Sequence, residues 1–256
     1  MRVCVVAEGQ EGIGWAEWLR LAQRCEELGF EALFRSDHYR STVGADGRDC
    51  LDAWATLAAL AGRTERIRLG TLVSPATFRH PSELAKVVAT VDHVSRGRVE
   101  LGFGAGWFEE EHRSFGFPFP ATAERNARFR EQLEIIDRQW SGLRFDFSGE
   151  HYRLEGCQAL PRPLQRPRPP IVIGGSGGRA TIEAAAQLGD EYNTPYATPM
   201  VCSERRARVR AACEAAGRDP DAVAFSLMTG FVIGGDRSDL LRHGRGVMRQ
   251  ENGGYD

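Results

Sequence analysis

Short apolar runs alternate with longer segments of helical period along most of the chain. After the first run, residues 3–7, apolar side chains recur every three or four positions from Trp15 to Leu28 and stop before Gly29. This alternation predicts strand–helix units on a parallel sheet. The predicted strands are residues 3–7, 32–35, 67–73, 98–104, 171–174, 191–193 and 222–233. The predicted helices are residues 15–28, 52–61, 81–94, 123–140, 179–188, 203–216 and 238–250.

The alternation is interrupted between residues 141 and 170. Residues 145–154 alternate around a Ser148-Gly149 turn, as in a small hairpin. The proline-rich run from Pro161 to Pro170 cannot sustain a helix or a central strand. We interpret this segment as an insertion within one domain that spans residues 1–256.

The seven predicted strands leave two architectures open. A closed barrel of strand–helix units needs eight strands, whereas an open doubly wound sheet tolerates seven but needs a switch point. Glycine or acidic residues at the strand ends favour the barrel, because its active face gathers those ends. The pattern therefore favours an α/β fold, a TIM-type (β/α)8 barrel that lacks its eighth strand in this chain. We accordingly expect either that the chain is truncated at its C-terminal end or that another segment or subunit fills the gap.

Composition narrows the possible partners. The 256 residues are 42% hydrophobic and 27% charged, with a net charge of −2, which is typical of a globular protein. Acidic and basic residues are interspersed, so no single-signed surface for nucleic acid or lipid is predicted. No apolar stretch approaches the length of a membrane helix or a signal peptide. We expect a cytoplasmic protein without nucleic-acid or membrane partners.

Several kinds of catalytic centre have no sequence signature here. The six cysteines are widely spaced and form no C-x-x-C pair, so no metal site is predicted and reduced thiols are expected. The chain contains no H-E-x-x-H sequence and no Walker A sequence.

The segment that follows the fifth predicted strand is rich in glycine. Gly174, Gly175, Ser176 and Gly177 lead directly into the helix predicted from residue 179. Backbone N–H groups in such a loop and at a helix N-terminus suit a phosphate group. A glycine-rich turn without any ligand is the alternative.

Two other strand ends carry candidate chemistry. Asp37 and His38 follow the second strand, where a histidine can move a proton and an aspartate can orient it or bind a ligand. The alternative is an aspartate that caps the next turn beside a half-exposed histidine. At the fourth strand, the glycines up to Gly106 either ease a bend or let a flat ring approach the backbone. The acids that follow, including Glu110, suit a helix start.

These segments together resemble the bacterial luciferase-like superfamily and, within it, the oxidoreductases that depend on the deazaflavin coenzyme F420. The matching residues are 27–33, 36–39, 66–73, 78–85, 92–98, 102–107, 147–152 and 170–177. Their order and spacing agree with the superfamily from about Met1 to Ile233, although Arg35 stands where its members carry an apolar residue. The resemblance implies a TIM-type barrel, a homodimer, a small-molecule substrate, and coenzyme F420, or alternatively FMN, at the C-terminal face of the barrel.

The resemblance also implies roles for particular residues. His38 is the expected proton-transfer residue, with Glu110 as a second catalytic candidate. A non-prolyl cis peptide is expected near Leu72-Val73, behind the cofactor ring. The implied cofactor-binding residues are Asp37, Thr71, Leu72, Val73, Gly104, Ala105 and Gly106 for the ring, and Gly174, Gly175, Ser176 and Gly177 for the phosphate.

Three functions remain open at this point. The first is an F420-dependent oxidoreductase that transfers a hydride to or from a small organic substrate. The second is an FMN-dependent monooxygenase with the same fold. The third is a cofactor-binding or scaffold subunit without turnover, which the missing strand makes plausible.

Overall fold

The computed structural model describes residues 2–44 and 47–242. The strands are β1 (Cys4–Ala7), β2 (Ala32–Arg35), β3 (Arg68–Thr71), β4 (Ser74–Pro75), β5 (Val99–Gly104), β6 (Phe145–Ser148), β7 (Arg153–Cys157), β8 (Ile171–Gly174), β9 (Glu191–Pro195) and β10 (Ala224–Met228). The α-helices are α1 (Trp15–Glu27), α2 (Ala53–Ala61), α3 (Pro81–Ser95), α4 (Glu109–Phe115), α5 (Thr122–Ser141), α6 (Arg179–Leu188) and α7 (Pro199–Ala215). None of the helices in these two ranges is both long and apolar enough to cross a bilayer.

The main sheet is parallel, with the order β1-β2-β3-β5-β8-β9-β10, and β4 pairs with β5. Arg2, just before β1, contacts Glu100 of β5 at 3.1 Å and Glu191 of β9 at 3.7 Å. In a flat sheet β9 would lie five strand spacings from β1, about 24 Å away. The sheet is therefore strongly curled, and the expected TIM-type α/β fold is confirmed. Between β10 and β1, no described residue supplies a further strand.

The two faces of the curled sheet have different contents. Side chains such as Leu33, Leu101 and Ile173 point outwards and pack with the helices in one hydrophobic core. The alternate positions face inwards and include Gly102 and Gly104 of β5. Because strand side chains alternate between faces, the hydrophobic core lies between sheet and helices, and the barrel interior is left narrow and rich in glycine.

The predicted elements are present, and the main differences in their bounds concern two strands and one helix. The predicted strand 67–73 is interrupted after Thr71, because the Leu72-Val73 peptide is cis and the chain resumes pairing only at β4. The predicted strand 222–233 is too long, since pairing with β9 ends at Met228. Helix α7 begins at Pro199, with the Thr198 side chain as its cap. Residues 238–242 of the last predicted helix are helical, and the rest of it lies outside the described residues.

Two carboxylates attach the insertion to the helices. Strands β6 and β7 form the predicted hairpin, with a wider turn than expected. Glu131 of α5 accepts backbone N–H bonds from that turn, at 2.7 Å from Glu150 and 3.1 Å from Tyr152. Asp92 of α3 accepts bonds from the proline-rich run, at 2.6 Å from the N–H of Leu164. The insertion thus packs against α3 and α5, outside the curled sheet.

Gly102 gives a test of the narrow interior. A Cβ atom at Gly102 would lie 1.9 Å from the carbonyl oxygen of Thr71, whereas a Cβ at Gly230 meets nothing within 4 Å. We expect Gly102→Ala to lower the free energy of unfolding by about 3 kcal/mol, because β3 would have to shift. Urea unfolding curves would measure this, with Gly230→Ala as the control. Equal unfolding midpoints for the two variants would contradict the packing described here.

Candidate functional site

The predicted functional segments meet at one end of the molecule. Asp37 and His38 follow β2, and the glycine loop from Gly174 to Gly178 follows β8. All strands of the main sheet are parallel, so their C-terminal ends form a single rim, called here the mouth of the barrel. The proton-transfer candidate and the phosphate candidate therefore open onto the same space.

His38 is oriented by a buried carboxylate. Its Nδ1 lies 2.8 Å from Oε2 of Glu111, a residue of α4 that is 0% exposed. Glu111 also accepts a bond from the backbone N–H of Tyr39 and another, at 3.3 Å, from that of Arg40. A carboxylate can only accept, so Nδ1 of His38 donates. Nε2 is then the nitrogen that can exchange a proton with a substrate.

Glu110 has a different environment from Glu111. Its side chain is 52% exposed and forms an ion pair with Arg40 at 3.1 Å. Successive residues of a helix point about 100° apart, so only one of three consecutive acids can face His38. Sequence reasoning selected Glu110 and missed Glu111. Burial of Glu111 and His112 marks the inward face of α4, and this burial is visible only in the structure.

Asp37 is fully engaged by protein groups. Its carboxylate is 1% exposed, receives Nη1 of Arg79 at 2.6 Å and Nη2 at 3.2 Å, and accepts a bond of 2.6 Å from Oγ of Ser74. Burial opposes the charge on Arg79, but the Asp37 carboxylate outweighs it and raises the pKa of Arg79. Asp37 thus fastens the segment that carries His38 to the start of α3. The sequence reasoning did not identify Arg79.

Arg79 also reaches two further groups of the same loop. Its Nη2 lies 3.2 Å from the hydroxyl of Tyr39 and 3.0 Å from Oδ2 of Asp52, which caps α2. Burial raises the pKa of Tyr39 to about 12, so its hydroxyl stays protonated at neutral pH. One guanidinium therefore joins the loop after β2 to the first turns of α2 and α3.

Arg35 and Cys50 support His38 from the outer side. Arg35 is 0% exposed, stacks on Trp18 at 4.9 Å and donates to the carbonyl of Leu51 at 2.8 Å. Burial lowers the pKa of Arg35. The thiol of Cys50 donates to the carbonyl of His38 at 2.8 Å, and burial raises its pKa to about 11. Since Arg35 points towards α1, it does not line the mouth.

The inward-facing glycines are explained by Val73. A Cβ atom at Gly104 would lie 2.9 Å from Cγ2 of Val73, and one at Gly174 would lie 2.8 Å from Cγ1. The Val73 side chain therefore occupies the upper barrel interior. Close packing against Val73 is a reason for glycine at these two positions that is neither a bend nor the approach of a ring. Thr71 is buried below and donates to the carbonyl of Gly102 at 2.9 Å.

The segment after β5 leads from Gly104 to the exposed aromatic residue Trp107. Gly106 has a φ of +85°, and a Cβ there would lie 2.6 Å from Oγ1 of Thr77. Thr77 in turn lies 2.6 Å from Nε2 of the buried His112. Ala105 and Gly106 are half-buried and Trp107 is exposed, so this segment borders the mouth.

The glycine loop is only partly free to bind an anion. The N–H of Gly175 donates to the carbonyl of Asn193 at 3.0 Å, and the N–H of Gly177 donates to the hydroxyl of Tyr192 at 2.8 Å. Ser176 and Gly178 are exposed, and no side chain caps the N-terminus of α6. The amides of these two residues and of the first turn of α6 are therefore the candidate donors.

Two arginines of α7 lie beside this loop. A Cβ atom on Gly177 would lie 3.1 Å from Nε of Arg205 and 3.4 Å from Nη1 of Arg208. Sequence reasoning did not find them, because they follow the loop by about thirty residues and belong to the next strand–helix unit. A helix N-terminus, open amides and two cations together fit a phosphate group.

The fold and this site define a luciferase-like barrel with a candidate cofactor site at its mouth. The family model for luciferase-like monooxygenases matches residues 2–252, and the chain belongs to that family.

Named relatives depend on two different cofactors. The chain is 37% identical over 185 residues to an F420-dependent glucose-6-phosphate dehydrogenase of Microbacterium testaceum, covering 72% of this chain and 54% of the relative. It is 33% identical over 175 residues to an FMNH(2)-dependent dimethylsulfone monooxygenase of Pseudomonas putida, covering 68% and 47%. The chain thus spans about half the length of these relatives.

Solved structures show the same fold. The monooxygenase RslO1 from Streptomyces bottropensis superposes with a TM-score of 0.82 at 28% identity, over 99% of this chain and 78% of the other. The coenzyme F420-dependent tetrahydromethanopterin reductase of Methanopyrus kandleri superposes with a TM-score of 0.81 at 21% identity, over 94% and 69%.

Gly177 allows the phosphate assignment to be tested by charge alone. Aspartate and asparagine have nearly the same shape and both tolerate a positive φ, which is +92° here. We expect Gly177→Asp to weaken binding of FMN or F420 about tenfold more than Gly177→Asn, because its carboxylate would neutralise Arg205 and Arg208. Absorbance titrations measure both affinities. Gly217→Asp, in open space at the end of α7, is the control, and equal affinities for the two Gly177 variants would contradict the assignment.

Cys50 makes stability depend on pH in the alkaline range. The folded state raises the thiol pKa from about 9 to about 11, so it holds this proton more tightly than the unfolded chain does. The resulting stabilisation is complete below about pH 9 and is lost as the pH rises towards 11. We expect the unfolding free energy of the wild type, relative to Cys50→Ser, to fall across that window. Urea unfolding at several pH values measures this, and a constant difference would contradict it.

Proposed function

We propose that this protein is an F420-dependent oxidoreductase that transfers a hydride between the deazaflavin and a small organic substrate. The proposal depends chiefly on one observation: the His38–Glu111 pair, 2.8 Å apart, lies at the same mouth as the cationic glycine loop. Oxidoreductases need both a proton-transfer group and a held cofactor at one place. The F420-dependent relative at 37% identity supports the choice of cofactor.

The residues present fit such a cofactor. Ser176 and Gly178, the N-terminus of α6 and the two arginines of α7 would hold its phosphate. Val73, half-buried at the top of the barrel interior, would support its ring, with Leu72 and residues 104–106 at the ring's border. When bound, coenzyme F420 supplies a two-electron hydride donor or acceptor.

The chain's own contribution to chemistry is proton transfer and positioning. Nε2 of His38 would take the proton of a substrate hydroxyl, or return it to a carbonyl oxygen in the reverse direction. The buried carboxylate of Glu111 would stabilise the charged imidazole and fix its ring. Asp37, held by Arg79, would keep the segment in place instead of contacting the cofactor through its carboxylate.

An FMN-dependent monooxygenase is the second candidate. Relatives at 33% and 28% identity are named as monooxygenases, one of them FMNH(2)-dependent. A phosphate site of this kind accepts either cofactor, since both carry a phosphate beyond the ring's side chain.

With either cofactor, we also propose that the protein is a homodimer and that it is located in the cytoplasm.

Titration of the protein with coenzyme F420 and with FMN, followed by absorbance, tests the choice of cofactor. Saturable binding of F420 but not of FMN is the expected result. Tighter binding of FMN, with reduction of oxygen by the reduced complex, would replace the first candidate by the second. Tight binding without turnover of any substrate would instead support a cofactor-binding subunit without catalysis.

Two substitutions separate proton transfer from binding. We expect His38→Gln to keep the F420 affinity within about twofold and to lower kcat about a hundredfold or more, because the proton acceptor is lost. Glu111→Gln should lower kcat less, since a glutamine can still accept from Nδ1 but cannot neutralise the imidazolium. Glu110→Gln, on the exposed side of α4, is the matched control and should leave kcat unchanged. A loss of activity in Glu110→Gln equal to that in Glu111→Gln would contradict the assignment.

A further inference from the structure

An exposed aromatic wall stands beside His38. Trp107 is 57% exposed and its ring centroid lies 5.8 Å from that of His38, with the planes at 81°. Phe108 stacks on Trp107 at 5.1 Å and also meets the His38 ring edgewise at 6.0 Å. The wall formed by these two residues is therefore apolar, and it adjoins the side chain that would exchange the substrate proton.

The wall is held in place by groups that do not depend on a ligand. It follows Gly106, whose positive φ turns the chain out of β5, and it precedes α4. Nδ1 of the buried His112 donates to the carbonyl of Phe108 at 2.7 Å. Glu111, on the same helix, holds His38. The wall and the histidine are thus positioned by one short segment. Trp107 is exposed, but its backbone is held by contacts within the protein.

The arginines around the ends of β1 and β2 are already engaged by carboxylates or carbonyls. Arg40 binds Glu110 and Arg48 binds Glu11. Arg79 binds Asp37 and Asp52. Arg35 is buried and donates to the carbonyls of Ser36, Leu51 and Asp52. Around the ends of β1 and β2, the described part of the chain therefore offers a phosphorylated substrate no unengaged arginine.

A carboxylate near the same strand ends also disfavours a phosphorylated substrate. Glu8 follows β1 next to the residues that lead to His38, and its side chain accepts a bond of 2.7 Å from Nε2 of the buried Gln10. It forms no ion pair with any other residue that the structure describes. An uncompensated carboxylate at the rim repels a second anion, because charges in a cleft interact more strongly than in bulk water.

We propose that Trp107 and Phe108 form the substrate wall and that the site takes an uncharged aromatic alcohol or carbonyl compound, not a sugar phosphate. A flat apolar ring would pack on the open face of Trp107 with its oxygen next to Nε2 of His38. This inference rests on the proposed function and specifies its substrate class. It separates this chain from the relative named as a glucose-6-phosphate dehydrogenase, whose substrate carries a phosphate.

Calorimetric titration of the F420-loaded protein with benzyl alcohol and with glucose 6-phosphate tests the inference. We expect benzyl alcohol to bind, Trp107→Ala to weaken it about tenfold, and Trp107→Phe to retain most of the affinity, because stacking needs a ring and not an indole. Phe115→Ala is the matched control, since Phe115 is 51% exposed on the same segment and its ring packs against those of Tyr39 and Phe117. Its affinity for benzyl alcohol should equal that of the wild type.

Three results would overturn the inference. They are binding of glucose 6-phosphate with no binding of benzyl alcohol, equal benzyl alcohol affinities for Trp107→Ala and the wild type, and equal losses in Trp107→Ala and Phe115→Ala. The proposed function is tested separately by the deazaflavin absorbance before any substrate is added, and absence of F420 binding would contradict it. Protein that takes up F420 and oxidises glucose 6-phosphate, but does not bind benzyl alcohol, would leave the proposed function intact and remove only this substrate class.

Discussion

The buried ion pair between Asp37 and Arg79 is the interaction on which the site depends. Its two N–H···O contacts, at 2.6 and 3.2 Å, join the end of β2 to the start of α3, and Arg79 extends to the cap of α2 through Asp52. Removing one member of a buried pair typically costs about 3–5 kcal/mol, because the other charge is left without compensation. His38 directly follows Asp37, so the pair fixes the backbone from which the candidate proton-transfer side chain projects.

Glycine serves two separate purposes at the mouth. At Gly102, Gly104 and Gly174 the absence of a side chain makes room for neighbouring backbone and for the Val73 side chain, which occupies the upper barrel interior. At Gly177 it permits a positive φ, which turns the loop so that exposed amides and the uncapped start of α6 face the same side as the arginines of α7. The first purpose is packing and the second suits an anion, although both appear in the sequence as clustered glycines.

The sequence pattern was sufficient for most of the fold because hydrophobic periodicity is local. Strand 171–174 and helix 179–188 have the predicted bounds. The Leu72-Val73 cis peptide, which the family resemblance and not the periodicity implied, is also present. Contacts between distant units were not predictable from periodicity. Glu111 could not be distinguished from Glu110, and neither Arg79 nor the α7 arginines stood out, since 32 of the 33 basic residues are arginine. Which of them face the mouth is decided by the curl of the sheet.

The distribution of charge around the mouth links the two halves of the site. The side formed by β8 and β9 carries the open amides with Arg205 and Arg208, whereas the side formed by β1 and β2 carries Glu8 and neutralised arginines. An elongated cofactor with a phosphate at one end and a neutral ring at the other has only one favourable orientation in such a field. Under the proposed function its phosphate would lie towards α6, and its ring would then be directed towards His38 and the aromatic wall. The same polarity would favour an uncharged reactant next to the wall, so the proposed cofactor orientation and the proposed substrate class both rest on one arrangement of charges.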